Sequence, residues 1–381
     1  MKRGFFFAGI VLLVLFELAN VWFIMPLPYS QRVRSIDVAY TLYTARWGIR
    51  AVALALIVAG FAPAWRAPGW RRLGVAVALV VAGGVTYMTN AVMAADKIFI
   101  APSSLTMAPA ARNRVDPKRL VVGIELNGDA RAYPVQFIGY HHQVRDTVGG
   151  RPVLVSFCTV CRTGRVFDPV VDGYAEQFRL VGMDHFNAMF EDATTKSWWR
   201  QANGEAITGA KKGTVLTEIP SRQVTLAEWL ALHPKSLVMQ ADAALQAKYS
   251  SSFDYETGAS RSTLTGTDTV SWHDKAWVVG LSVKGADRAY DWNRLRRERV
   301  VNDTLGGAPV VLALAADDAS FFAFARPDAA ARFELRGDSL VGGGQAYALD
   351  GHGPSGTLAA LGASQEFWHS WRTFHPRTTT Y

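Results

Sequence analysis

Three long apolar stretches separate the first hundred residues of the chain from everything that follows. The first runs from Gly4 to Met25 behind Lys2-Arg3. The second runs from Ile49 to Ala64 with Arg50 near its start, and the third from Leu73 to Ala94. A membrane-spanning helix needs about 20 apolar residues. The first and third stretches reach or approach that length, and the second is marginal. The first is too long for the roughly 7–15-residue core of a signal peptide, and Pro26 and Pro28 follow it where a small-residue cleavage site would stand. Three spans are therefore expected over residues 1–95, the alternative being one signal anchor and a buried hairpin. Trp22, Trp47, Trp65 and Trp70 fall near the expected span ends, as interfacial aromatics do. Glu17 and Asn20 lie inside the first span, where an interhelical contact is the expected use of such costly groups.

Loop charge sets the expected orientation. Lys2, Arg3, Arg66, Arg71 and Arg72 fall on one side. Arg32, Arg34 and Arg46 fall on the other, with Arg50 at its edge. Five against four favours an inside N-terminus. That places the remainder outside a bacterial inner membrane, in the periplasm.

After residue 95 the pattern becomes short and alternating. Residues 96–120, with Pro102, Pro109 and Pro117, read as a linker. Val121–Leu126 predicts a strand, Asn127-Gly128 a hairpin turn, and Arg131–Pro134 the returning strand. Phe137–Val144 fits either a helix or a strand. Pro152–Phe157 and Phe178–Val181 predict further strands. Thr225–Leu232 predicts a short helix capped by Thr225 with Glu228 at N3.

This pattern recurs. Val121-Val122-Gly123 returns as Val278-Val279-Gly280, an offset of 157, and across Val121–Val155 that offset gives 14 identities in 35 positions without a gap. Among them are Arg131-Ala132-Tyr133 against Arg288-Ala289-Tyr290, and Asp146-Thr147 against Asp303-Thr304. Near the two ends, Trp229…His233-Pro234 matches Trp371…His375-Pro376. The expected fold is an N-terminal set of transmembrane helices plus a β-rich, α+β, tandem-duplicated globular region. Its parts are a first repeat with the candidate site at 121–245, a connector at 246–277 and a second, degenerate repeat at 278–381 that serves as a structural partner.

Residues shared by both repeats are expected to be scaffold, and residues of one repeat only are candidates for chemistry. Cys158 and Cys161, the only cysteines, form a Cys-x-x-Cys in the first repeat, where the second has Ala315 and Asp318. His141 and His142 face Glu298 and Arg299 in the same alignment. The spacing suits a disulfide or two ligands of one metal. Arg162 and Arg165 are expected to favour a thiolate. Three readings stay open. In the redox reading Cys158 attacks, Cys161 resolves, and His141 or His185 is the base, with His142, Arg162, Arg165 and Trp198 lining the pocket. In the metal reading Cys158, Cys161, His141 and His142 hold zinc or copper, and Met183, His185 and Met189 would suit copper. In the third reading the cysteines are structural and the protein is a non-catalytic envelope scaffold.

Composition adds two constraints. Only 19% of the 381 residues are charged, against roughly 25% for soluble domains, which fits the apolar anchor. The net charge of +8 comes without a dense Lys/Arg run, so nucleic acid is not an expected partner. The expected partners are the lipid bilayer and a redox partner protein.

The motifs His141…Asp146-Thr147-x-Gly-Gly and Phe157-Cys158-x-x-Cys161-x-Thr-Gly resemble those of an uncharacterised family with W-H-E-I-V-N-D-x-x-G-G and Y-C-P-L-C-G-[ST]-G motifs. The resemblance spans Val121–Met239 and includes Ala206-Ile-Thr-Gly209 and Trp229…His233-Pro234. It implies an exported or membrane-anchored protein. Some members of that family are selenoproteins, which implies redox work by a chalcogen at the cysteine motif. Two departures stand out: His142 takes the place of the family Glu, and Arg162 the place of the Gly after the second cysteine.

Overall fold

The apolar stretches form three helices: α1 (Lys2–Ile24), α2 (Ile36–Trp65) and α3 (Trp70–Tyr87), the last prolonged by a π-helical turn at Met88–Val92. All three are long and apolar enough to cross a membrane. The computed structural model describes residues 2–33, 35–66, 69–102 and 104–381. Helix α2 starts at Ile36, well before the apolar run at Ile49. Its first turns are held by Tyr40 and Tyr43, whose rings lie 5.1 and 5.2 Å from that of Trp198. Arg46 is therefore helical and not a loop residue, and Arg34 lies outside the described residues. Helices α1 and α2 approach closely where glycine removes the side chain. A Cβ at Gly60 would meet the Phe6 backbone nitrogen at 2.1 Å, and one at Gly9 the Ala53 carbonyl at 2.6 Å. Glu17 is buried and meets Arg50 at 2.7 Å, Asn90 at 2.9 Å and Thr89 at 3.3 Å, the interhelical contact expected of it.

The chain divides into two compact units. The first is Met1–Ile100 with Phe178–Arg200 and Glu205–Thr214, and the second is Ala101–Gln177, Gln201–Gly204 and Val215–Tyr381. Inside the first unit the helices accompany a four-stranded antiparallel meander. Its strands are Phe178–Asp184, Asn187–Asp192, Trp198–Arg200 and Ala206–Thr208. These residues group with the helices and not with the rest of 121–245.

In the second unit a five-stranded sheet has the order Met107–Pro109, Leu237–Met239, Asp129–Pro134, Leu120–Leu126 and Arg222–Thr225. The segment expected to be a linker thus supplies an edge strand. A seven-residue helix, Val135–His141, leads to a three-stranded sheet of Gln143–Val148, Arg151–Cys158 and Thr163–Phe167. Asn127 and Gly128 both have positive φ (51° and 79°), as a tight hairpin turn requires. Thr225 caps the helix Leu226–Leu232 by accepting from the Glu228 N–H.

The same order of strand, strand, seven-residue helix and three strands occurs again over Trp277–Ala325. The registers agree at the offset of 157. Val121 pairs with Pro134 and Val278 with Asp291, while Gln143 pairs with Ser156 and Val300 with Ala313. Arg131 and Tyr133 bond Asp146 at 2.9 and 2.7 Å, and Arg288 and Tyr290 bond Asp303 at 2.5 and 2.9 Å. Trp229 covers Gly123 and Trp371 covers Gly280 so closely that a Cβ would meet the rings at 2.3 and 2.1 Å. After its third strand the second run carries a three-stranded sheet over Phe333–Ala348, where the first carries the four-stranded meander that begins at Phe178.

Candidate active site: a buried cysteine pair

The turn after strand Arg151–Cys158 carries the cysteine motif. Cys158 and Cys161 are both thiols with 0% exposure. The backbone carbonyls between them are claimed in turn. The Tyr255 hydroxyl donates to Thr159 O at 3.0 Å. The Lys275 ammonium and the His369 Nε2 reach Val160 O at 2.7 and 3.1 Å. The Phe367 N–H donates to Cys161 O at 2.9 Å. Because a carbonyl only accepts, the His369 proton sits on Nε2. The Lys275 nitrogen 3.4 Å from that Nε2 is then a neighbour and not a hydrogen-bond partner.

Electrostatics follow from this enclosure. Burial pushes the Cys161 thiol up, and the adjoining Cys158 adds to the rise. A hydrogen bond with Ser370 and the charge of Lys275 pull it part of the way back. Burial lowers Lys275, and the two sulfurs and Asp274 oppose the fall. His369 is pushed down to about 4, by burial first and then by the Lys275 charge. It is neutral near pH 7.

Arg162 and Arg165, expected to favour a thiolate, have their hydrogen bonds elsewhere. Arg162 donates to Gln365 Oε1 at 2.9 Å and to the carbonyls of Tyr255 and Glu256, with its guanidinium 3.8 Å from the Trp277 ring centre. Arg165 is bound by Glu366 at 2.6 Å and by the Ala202 carbonyl. Both charges are spent on neighbours other than sulfur. Arg162 also has φ 60°, a left-handed conformation that favours glycine. A glycine at the equivalent place in the resembling motif therefore has a conformational reason.

His141 Nε2 is 2.7 Å from the Tyr249 hydroxyl. His142 ends the helix at φ 62° with Nδ1 3.2 Å from Tyr140 O, and burial drives it down to about 4. Among the described residues no group of three or more His, Cys, Asp or Glu side chains is placed to hold a metal ion. Cys158, Cys161, His141 and His142 therefore do not form a zinc or copper ligand set of that kind. His185 and Trp198 belong to the other unit. There His185 Nδ1 lies 2.6 Å from Asp184, which Arg200 also holds at 2.7 Å, and Trp198 is buried with its indole on Glu191.

A family model described as a protein of unknown function (DUF3179) matches residues 100–378. The chain belongs to the DUF3179 family. That match takes in both runs of strands and every residue around the cysteine turn. No curated protein and no solved structure matches the chain.

Tyr255, Lys275, His369 and Ser370 went unnoticed in the sequence. Lys275 aligns with Lys118 at the offset of 157, so a comparison that seeks differences passes over it; Lys118 is exposed and Lys275 is enclosed. His369 aligns with Ala227. Asking what the second run has that the first lacks would have found it.

Proposed function

We propose that this DUF3179 protein is a membrane-anchored thiol–disulfide redox protein built by tandem duplication, with its globular part in the periplasm. The observation that carries the redox reading is the pair of adjacent thiols on one turn, enclosed beside a half-buried ammonium. In the forward direction Cys158 attacks a partner protein's disulfide, and a mixed disulfide forms. Cys161 then attacks Cys158, releasing the partner as a dithiol and leaving the Cys158–Cys161 disulfide. Two electrons and two protons pass to the partner. A Cys161 held protonated until that second step suits a resolving thiol, and Lys275 balances the charge when it ionises. The resemblance to selenoproteins supports the same chemistry.

The matched registers, the Arg–Tyr–Asp contacts and the Trp-on-glycine packing support duplication. On this reading the second repeat does more than prop up the first: it supplies His369 and Ser370 to the site. The cations near the span ends are Lys2, Arg3, Arg66, Arg71 and Arg72 on one side, against Arg32, Arg34 and Arg46 on the other with Arg50 at its edge. That asymmetry supports an inside N-terminus and a periplasmic globular part.

Complete burial of both sulfurs favours a second reading, in which the pair is structural. Equilibrating the full-length protein with thiol buffers and trapping the thiols by alkylation decides between them. The redox reading expects a potential within the range of exchange proteins, about −120 to −270 mV. A value below about −300 mV, with no exchange with thiol buffers on the time scale of minutes, supports the structural reading.

A further inference from the structure

The first unit holds a cavity of about 500 Å³ where the end of α1, the start of α2 and the π-helical turn after α3 converge beside the strand Phe178–Asp184. In a chain whose three helices cross a bilayer, this places it at the level of the lipid headgroups. Its lining carries four cations, Arg46, Arg50, Lys97 and Arg179, and one carboxylate, Asp96. Two of the cations are neutralised: Arg50 by Glu17 at 2.7 Å, and Arg179 by Glu191 at 2.8 Å and Asp96 at 3.3 Å. The other two make no ion pair among the described residues. Arg46 is half-buried, stacked 3.8 Å from the Tyr43 ring centre and donating to the Tyr43 carbonyl. Lys97 is exposed at the rim. Trp47, 67% exposed, borders the same cavity, as an aromatic side chain at a headgroup boundary does.

We infer that this cavity binds the phosphate of an anionic phospholipid, with Arg46 and Lys97 as its ligands and the acyl chains lying along the apolar face of the helices. The shared chemistry is a phosphate anion, and the lipid source is favoured because the cavity adjoins lipid-facing helix surface, with Trp47 and Val92 both exposed. The inference rests on the helices lying in a bilayer and is independent of the cysteine chemistry. The full-length protein in mild detergent is titrated with phosphatidylglycerol, with phosphatidylcholine and with inorganic phosphate, following its melting temperature and lipid retention by native mass spectrometry. Phosphatidylglycerol is expected to raise the melting temperature and to be retained over phosphatidylcholine. The double variant R46A/K97A is expected to bind it about thirtyfold more weakly. K2A/R3A, which removes two cations at the opposite end of α1, is expected to bind like the parent. The melting temperature of R46A/K97A without lipid reports its folding. If the variant is unfolded, R46Q and K97Q singly are each expected to weaken binding about fivefold. Equal retention of the two lipids, unchanged preference in the folded variants, or an effect reproduced in full by inorganic phosphate overturns the assignment to lipid.

Discussion

Lys275 donates to the carbonyl of Val160, the residue just before the second cysteine, at 2.7 Å. It also donates to the Leu264 carbonyl at 2.6 Å, so one half-buried ammonium ties the connector to the cysteine turn. Replacing it with methionine keeps the volume but removes both donors and the charge. Leaving these part-buried carbonyls short of a donor costs about 1 kcal/mol or more, to be read as a lower denaturant midpoint. The charge loss has a separate signature. Because Lys275 lowers the Cys161 thiol, its removal shifts the pH midpoint of Cys161 alkylation upward. An unchanged midpoint in folded K275M shows that Lys275 does not act on the sulfurs.

Arg162 separates conformational strain from side-chain bonding. Its left-handed φ favours glycine, yet its guanidinium makes three hydrogen bonds within the core and stacks on Trp277. R162G loses the bonds but relieves the backbone; R162A loses the bonds and keeps the strain. Both are expected to be less stable than the parent, with R162A below R162G by about 1 kcal/mol in chemical denaturation. The reverse order shows that the left-handed conformation costs nothing here.

Local features were legible along the chain wherever one residue type forces one outcome. Asn127-Gly128 gave its hairpin, Thr225 its cap, and the apolar runs their helices. The scaffold was legible too, because Arg131, Tyr133 and Asp146 recur at one offset and make the same contacts in both places. What escaped were pairings set by packing alone. The Met107–Pro109 edge strand has neither length nor alternation and exists because Leu237–Met239 lies beside it. The first turns of α2 are too polar to read as a span and are held by Trp198. The cysteines and arginines were visible as residue types, but whether an arginine serves a sulfur or a tryptophan is decided in three dimensions.

Stability should fall in mild acid. His142 and His369 are both held neutral, each pushed down to about 4 by burial. In the unfolded chain each titrates near 6.5, so the unfolded state binds more protons and stability rises with pH through this window. The contribution is fully present above about pH 6.5 and is lost as pH falls toward 4, by a few kcal/mol in all. Denaturant midpoints measured from pH 7.5 to 4.5 should show the slope, and H142Q/H369Q should flatten it. A slope unchanged in the double variant assigns the acid sensitivity to other groups.

Gly123 and Gly280 put the proposed duplication to an energetic test. Each lies at the centre of a strand under a tryptophan, Trp229 or Trp371, and each leaves no room for a methyl group. Both indoles are anchored at their far edge, Trp229 Nε1 donating to Ser236 Oγ at 2.8 Å and Trp371 Nε1 to Thr378 Oγ1 at 2.7 Å. Neither ring can therefore tilt away without giving up a hydrogen bond, buried at Trp229 and part-buried at Trp371. G123A and G280A should each destabilise the protein by about 1–3 kcal/mol or more through overpacking, and by similar amounts if the two positions perform one inherited task. The expected recovery is equally specific. W229F in G123A, and W371F in G280A, trims the ring that clashes and should restore part of the loss, giving a favourable coupling energy in each double-mutant cycle. A large loss at one glycine and none at the other shows that the two tryptophans pack for different reasons.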